Sequence, residues 1–219
     1  MTERTTYRDI TAEFTAAVAD VERVGESHVR VVLGGMPALA LLDTIAVDVG
    51  GGDLRRYTVS RVADDRVEFV AYRTTRGPAT PWLDVLAAGV SVNGLAPERP
   101  VKTPPADAAR VLVVGDDTAV GVARAVGASH AGRVHVAIVG EVVLEDVVAL
   151  TGATAHVVDT NDELLDWVTK AAPRASDYLV LVGEQALNQQ VRQHAFGLGV
   201  DKEWLATRTF WRPDRAGIE

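Results

Sequence analysis

Arg55, Arg56, Tyr57 and Thr58 stand in a row inside a stretch dense in β-branched and aromatic residues, which reads as a strand. Residues two apart on a strand share a face. Arg55 and Tyr57 therefore point together, setting a guanidinium fork suited to phosphate oxygens beside an aromatic plane suited to stacking on a ring. Thr58 adds a hydroxyl and a backbone amide. The plainer alternative is an exposed arginine pair on an amphipathic strand. A second segment, Gly77-Pro78-Ala79-Thr80-Pro81-Trp82, opens a helix, with Thr80 as N-cap and Pro81 at the first helical position. Unpaired amides and a partial positive charge at a helix start suit an anion, Gly77 and Ala79 let it approach the backbone, and Trp82 can cover it. The alternative is a well-capped helix whose tryptophan is core.

The elements that must position these side chains follow from the pattern around them. Strands are predicted at roughly 14–23, 28–33, 44–49, 55–62 and 66–72, separated by turn-forming Gly, Pro and Asp clusters, which suggests a small antiparallel barrel. The helix at Thr80 is about two turns long and stops at Gly89. Between Leu95 and Asp107 lie Pro97, Pro100, Pro104 and Pro105 among charged residues, the composition of a semi-rigid linker. Beyond it, apolar runs at 110–114, 134–139, 155–158 and 178–182 alternate with helical periodicity. That is the signature of a parallel sheet covered on both faces, a doubly wound α/β unit. The expected division is 1–100 for the barrel and 106–219 for the α/β domain.

Composition narrows the chemistry. The 219 residues include no cysteine, which excludes disulfides, thiolate catalysis and cysteine-ligated metal or iron–sulfur centres. Electron transfer would need a bound organic cofactor. With 22 basic against 30 acidic residues the chain carries a net charge of −8, which argues against nucleic acid as a partner. The N-terminal residues are polar and no apolar run approaches the ~20 residues of a membrane span, so a cytoplasmic location is expected. The histidines His28, His130, His135, His156 and His194 show no metal-ligand spacing, and no metal is expected. Glu184, Asn188, Arg192 and Gln193 either contact a nucleotide or face water, and Trp204 and Phe210 read as core.

The two segments, about twenty residues apart and in this order, resemble the flavin-binding segments of the siderophore-interacting protein family, ferric-siderophore reductases of the ferredoxin-reductase type. Those read Arg-x-Tyr-Thr, then a strand ending in histidine, then Gly-Pro-Ala-Ser-x-Trp. Three further stretches are similar to family turns: Gly115-Asp116-Asp117-Thr118-Ala119, Gly183-Glu184, and Phe210-Trp211-Arg212-Pro213-Asp214-Arg215. The resemblance runs from Arg55 to Arg215, in a shortened member. It implies a barrel holding FAD and an α/β domain presenting NADH or NADPH. By position, Arg55 would hold flavin phosphates, Tyr57 would stack on the isoalloxazine and Thr58 would meet its redox-active edge. Tyr72 stands where the family usually has histidine. Gly77, Ala79 and Thr80 would supply a second phosphate contact, with Trp82 beside them, while Gly115, Asp116 and Thr118 would line the nicotinamide site, which fits ligand binding at the carboxyl ends of parallel strands. Trp211 joins the cofactor contacts.

Asp116 and Asp117 would also serve as helix caps, and their charge disfavours phosphate, so NADH should work at least as well as NADPH. The activity implied is hydride transfer from NAD(P)H to FAD and onward to a ferric siderophore, with Arg61, Arg73 and Arg76 as candidates to receive an anionic complex. Two other functions fit the same residues. One is a flavin reductase-like or FAD-binding protein serving a biosynthetic or monooxygenase partner, and the other is a non-redox binding protein retaining the fold.

Overall fold

The computed structural model describes residues 12–74, 77–98 and 100–213. Six antiparallel strands close a barrel: β1 (Ala12–Val24), β2 (His28–Gly34), β3 (Thr44–Asp48), β4 (Leu54–Ala63), β5 (Arg66–Tyr72) and β6 (Ser91–Glu98), in the spatial order β1-β2-β5-β4-β3-β6. Closure removes sheet edges. It is achieved by the long β1, which pairs with β6 through Ala12 to Ala17 and with β2 from there to Val24, bending at an irregularity between Val18 and Asp20. The interior is filled by Val29, Val31, Leu33, Ile45, Val59 and Phe69, each fully buried. A short helix, α1 (Thr80–Val85), lies between β5 and β6 and drives Leu83 into this core.

The second half is a parallel sheet of β7 (Arg110–Asp116), β8 (Val134–Val139), β9 (Thr154–Val158), β10 (Asp177–Glu184) and β11 (Leu205–Trp211), in the order β11-β10-β7-β8-β9. The chain starts at the central β7, builds outward to β9 on one side, then crosses to β10 on the other. Strand order therefore reverses between β7 and β10. Along β7 the side chains alternate: Val111 and Val113 face α2 (Val120–Ser129) and α3 (Leu144–Thr151), while Leu112 and Val114 face α4 (Asn161–Ala171) and α5 (Gln185–Gly197). Both faces are covered, which is why these strands read as continuous apolar runs.

The two halves share a core. Leu42 and Val70 from the barrel side pack with Val120, Val122 and Ala123 of α2, and Val101 in the connecting segment donates its amide to Leu42. Gly121 lies against Val70 so closely that an added Cβ would come 3.1 Å from the Val70 carbonyl. Buried polar contacts reinforce the joint: Arg124 of α2 forks onto Glu68 of β5, and His28 Nε2 donates to the Asp117 carbonyl at 2.9 Å.

Three expectations are corrected. Leu95 to Glu98, expected in the linker, belongs to β6, where Gly94 and Pro97 disguised a strand; Pro97 falls at an irregularity in the pairing with β3, a position a proline tolerates. β11 was not expected at all. Thr80 is not the cap of α1 but its first residue, with Ala79 at the cap, and its hydroxyl donates to the Thr74 carbonyl.

Candidate functional site

A cleft of about 480 Å³ opens where the barrel meets the carboxyl ends of the parallel strands. β4 contributes Arg55, Arg56, Tyr57 and Thr58 to it, β5 contributes Val70 and Tyr72, and the start of α1 contributes Thr80, with Gly77 and Ala79 from the turn before it. From the other half come Asp116, Asp117 and Thr118, Gly121 and Val122 at the start of α2, and Phe210 and Trp211 at the end of β11. Of the twelve residues singled out in the sequence, ten line this one space. Trp82 and Gly115 do not.

Trp82 stands behind the site. The Tyr57 ring is stacked on Phe69 at 4.5 Å and lies 6.4 Å from the Trp82 ring, nearly parallel to both. Trp82 thus buttresses Tyr57, and the phenol is largely committed to the barrel core. Its hydroxyl is buried without a hydrogen-bond partner, as are those of Thr58 and of Thr44, which sits opposite Thr58 on β3. Buried hydroxyls are ordinarily paired, and leaving one unpaired costs on the order of 1–3 kcal/mol. Burial pushes the Tyr57 phenol well above its ordinary value, with Arg55 opposing and Asp53 adding to the rise. Arg55 is held in a fork by Asp53, with Nη2 2.7 Å from Oδ2, so a phosphate would share or displace that carboxylate.

The far wall is built around Asp116. Its Oδ1 accepts from the Thr118 amide at 2.9 Å and from the Thr118 hydroxyl, and its Oδ2 accepts from the Glu184 amide at 2.7 Å and from the Trp211 indole at 2.8 Å. One carboxylate thereby joins the ends of β7, β10 and β11. The glycines beside it make room: a Cβ at Gly183, whose φ is +120°, would lie 2.5 Å from Asp116 Oδ2, and a Cβ at Gly115 would lie 2.0 Å from the Val182 carbonyl. Gly115 is a packing residue, not a contact. Asp117 is equally engaged, accepting from the Glu141 and Val142 amides. Burial, then Asp117, Glu141 and Asp116, push the nearby Tyr72 phenol above its ordinary range.

Among the basic candidates, Arg73 is paired with Asp84 at 2.7 Å, Arg61 is exposed, and Arg76 lies outside the described residues, as do Asp214 and Arg215. Sequence reasoning missed Val70, Gly121 and Val122, because small apolar residues of a strand and a helix carry no chemical signal. A second groove, of about 640 Å³, lies between α4 and strands β7, β8 and β9, with His135, His156 and Trp167 along it. No group of three metal-ligating side chains occurs among the described residues.

A closed antiparallel barrel joined to a doubly wound parallel sheet, with a cleft between them, is a fold shared with solved structures that include a ferredoxin reductase of a carbazole dioxygenase system. Solved structures with this fold include siderophore-interacting proteins. The Siderophore Interacting Protein of Acinetobacter baumannii superposes with a TM-score of 0.74 at 18% identity, over 94% of this chain and 92% of that one. A siderophore utilization protein from T. fusca gives 0.74 at 18% identity, over 95% and 96%. A cytochrome P450 reductase of Amycolatopsis gives 0.72 at 22% identity, over 94% and 71%. These identities make the likeness one of fold. No family model and no curated protein matches the sequence.

Proposed function

We propose that this chain is a flavin-dependent oxidoreductase, with residues 1–100 as the flavin-binding half and 106–219 as the nucleotide-binding-like half. The observation that carries the reading is the pair of buried, unpartnered hydroxyls of Tyr57 and Thr58 lining a largely apolar cleft beside Arg55. A planar heterocycle rich in carbonyl and nitrogen atoms would satisfy them, and the cleft's size suits a cofactor ring system. FAD fits these residues. When bound it would supply the electron-carrying chemistry that the side chains of a cysteine-free protein lack. The protein's part is to hold the ring between the halves, to pair Arg55 with its phosphates and to exclude water with Phe210 and Trp211.

The acceptor we propose is a ferric siderophore, supported by the order of the sequence motifs and by two of the structural neighbours. An acceptor in a biosynthetic or monooxygenase system is the second reading, favoured by the likeness to a cytochrome P450 reductase. Among the described residues no helix is long and apolar enough to cross a membrane. NADH or NADPH is the donor implied by the resemblance, but the turns after β7 and β10 do not fit a dinucleotide phosphate, because Asp116 already engages the Thr118 and Glu184 amides.

The test is flavin uptake. Purified protein titrated with FAD should take up one equivalent with quenched flavin fluorescence. Arg55→Ala should weaken binding about 10- to 100-fold, the loss of a charge-assisted phosphate contact, and Asp53→Asn, which frees Arg55, should tighten it. A chain that takes up no flavin, or one for which both variants bind as wild type, would remove this site from consideration.

A further inference from the structure

In a doubly wound domain the crevice outside the carboxyl ends of the strands, at the point where strand order reverses, is where ligands bind, and amides at the start of the following helix attract an anion. Here that point lies between β7 and β10. Two amides at these strand ends, that of Thr118 after β7 and that of Glu184 after β10, both donate to Asp116. The Thr118 hydroxyl and the Trp211 indole complete the same carboxylate. Four donors converge on one side chain fixed to the end of the central strand. Gly183, in a backbone conformation that L side chains rarely adopt, leaves the space that the carboxylate fills.

We infer that Asp116 is the built-in anion of this crevice and that the chain seats no nicotinamide dinucleotide there. A phosphate entering the crevice would have to break contacts to a carboxylate that cannot diffuse away, and it would then lie against like charge. Asp117 and Glu141 add to that charge: together with Asp116 they act on the Tyr72 phenol in the same cleft. Trp211, 38% exposed, lines the same cleft and donates its indole N–H to Asp116, so a ligand reaching that carboxylate would have to displace it. The inference goes beyond the flavin reading, since it rests on the α/β wall alone while that reading rests on β4. It also makes Asp116 a positioning residue, through which the β7 turn, the β10 turn and the tryptophan keep one arrangement.

The experiment is calorimetric titration of the full chain with NADH, NADPH and ADP, in protein saturated with FAD and in protein without it. Wild type should show no saturable binding of any of the three up to about 1 mM. Asp116→Gly frees the Thr118 and Glu184 amides and removes the charge, and should bind ADP at least about tenfold more tightly than wild type. Saturable sub-millimolar binding of NADH or ADP to wild type would overturn the inference. So would an Asp116→Gly protein with wild-type circular dichroism that gains no ADP binding. Should that variant fail to fold, Asp116→Asn, which keeps an acceptor for Thr118 but drops the charge and the second acceptor oxygen, serves instead: a smaller gain, about threefold or more, is expected, and no gain at all is equally decisive. Flavin absorbance in the same samples separates the two readings: a colourless protein counts against the flavin site and leaves the ADP result to decide the crevice.

Discussion

Replacing Arg124 by alanine removes the guanidinium of α2 that forks onto Glu68 of β5, at 2.5 and 3.1 Å, across the joint between the halves. Glu68 is 6% exposed. Its remaining partners would be Arg30 at 3.2 Å and the Ser60 hydroxyl at 3.2 Å, so the carboxylate would stay buried with half its donors gone. Breaking a buried ion pair costs about 3–5 kcal/mol, and the surviving contacts to Arg30 and Ser60 bring the expected loss to about 2–3 kcal/mol. For a chain of this size that lowers the melting midpoint by roughly 4–12 °C, at about 2–4 °C per kcal/mol. The loss must also depend on pH. Burial raises the Glu68 carboxyl, but the contacts to Arg124, Arg30 and Ser60 outweigh it and hold the group below its ordinary value of 4.5. A depressed folded-state value means that the contribution is fully present above the unfolded value and is lost as pH falls through the folded one. Without Arg124 the carboxyl protonates at higher pH, so the gap between variant and wild type is widest near neutrality and narrows in acid. Urea unfolding of both proteins from about pH 3 to pH 8 measures this. A gap below about 0.5 kcal/mol near neutrality, the size of an exposed pair, or one that does not narrow in acid, refutes the reasoning.

Other outcomes follow from single contacts. Tyr57→Phe removes a buried hydroxyl with no partner, so unliganded stability should hold or rise by up to about 1 kcal/mol while FAD affinity falls about three- to tenfold. A variant that binds FAD as wild type would mean that the hydroxyl does not meet the ligand. Gly115→Ala forces a Cβ to 2.0 Å from the Val182 carbonyl, and should cost about 1–3 kcal/mol or more in thermal unfolding; an unchanged midpoint would contradict the close approach of β7 and β10. His28 is held below its ordinary value of 6.5, chiefly by burial, with Asp117 and Asp146 opposing. The unfolded chain therefore binds its proton first on acidification, so wild-type stability should fall as pH drops from the unfolded value through the folded one. His28→Gln should flatten that slope, and parallel curves for the two proteins would show that the imidazole takes up its proton equally in both states.

Much of the fold was legible because local chemistry and tertiary environment agreed. The period of two in β1 and β2 and the apolar runs of β7, β8 and β10 are set by which faces each strand buries, and there burial is written into residue type. β6 and β11 were illegible because their pairing comes from elsewhere: β6 contains Gly94 and Pro97 and is a strand because β1 and β3 flank it, and β11 is held by β10. The candidate site divides the same way. Arg55, Tyr57, Thr58 and the Gly77 turn stood out in sequence because phosphate and ring recognition demand particular side chains at short spacing. Which partners they meet was decided only in three dimensions, where Asp53 holds Arg55 and Phe69 and Trp82 flank Tyr57. Asp116 is the sharpest case. Its type and its place after a strand could be read as a cap or as a ligand contact, and it is indeed a cap, with Thr118 two residues on. The donors that make it an anion for the whole crevice lie 68 and 95 residues away, at Glu184 and Trp211. A carboxylate's partners at that separation depend on strand order in the sheet, which no local spacing encodes.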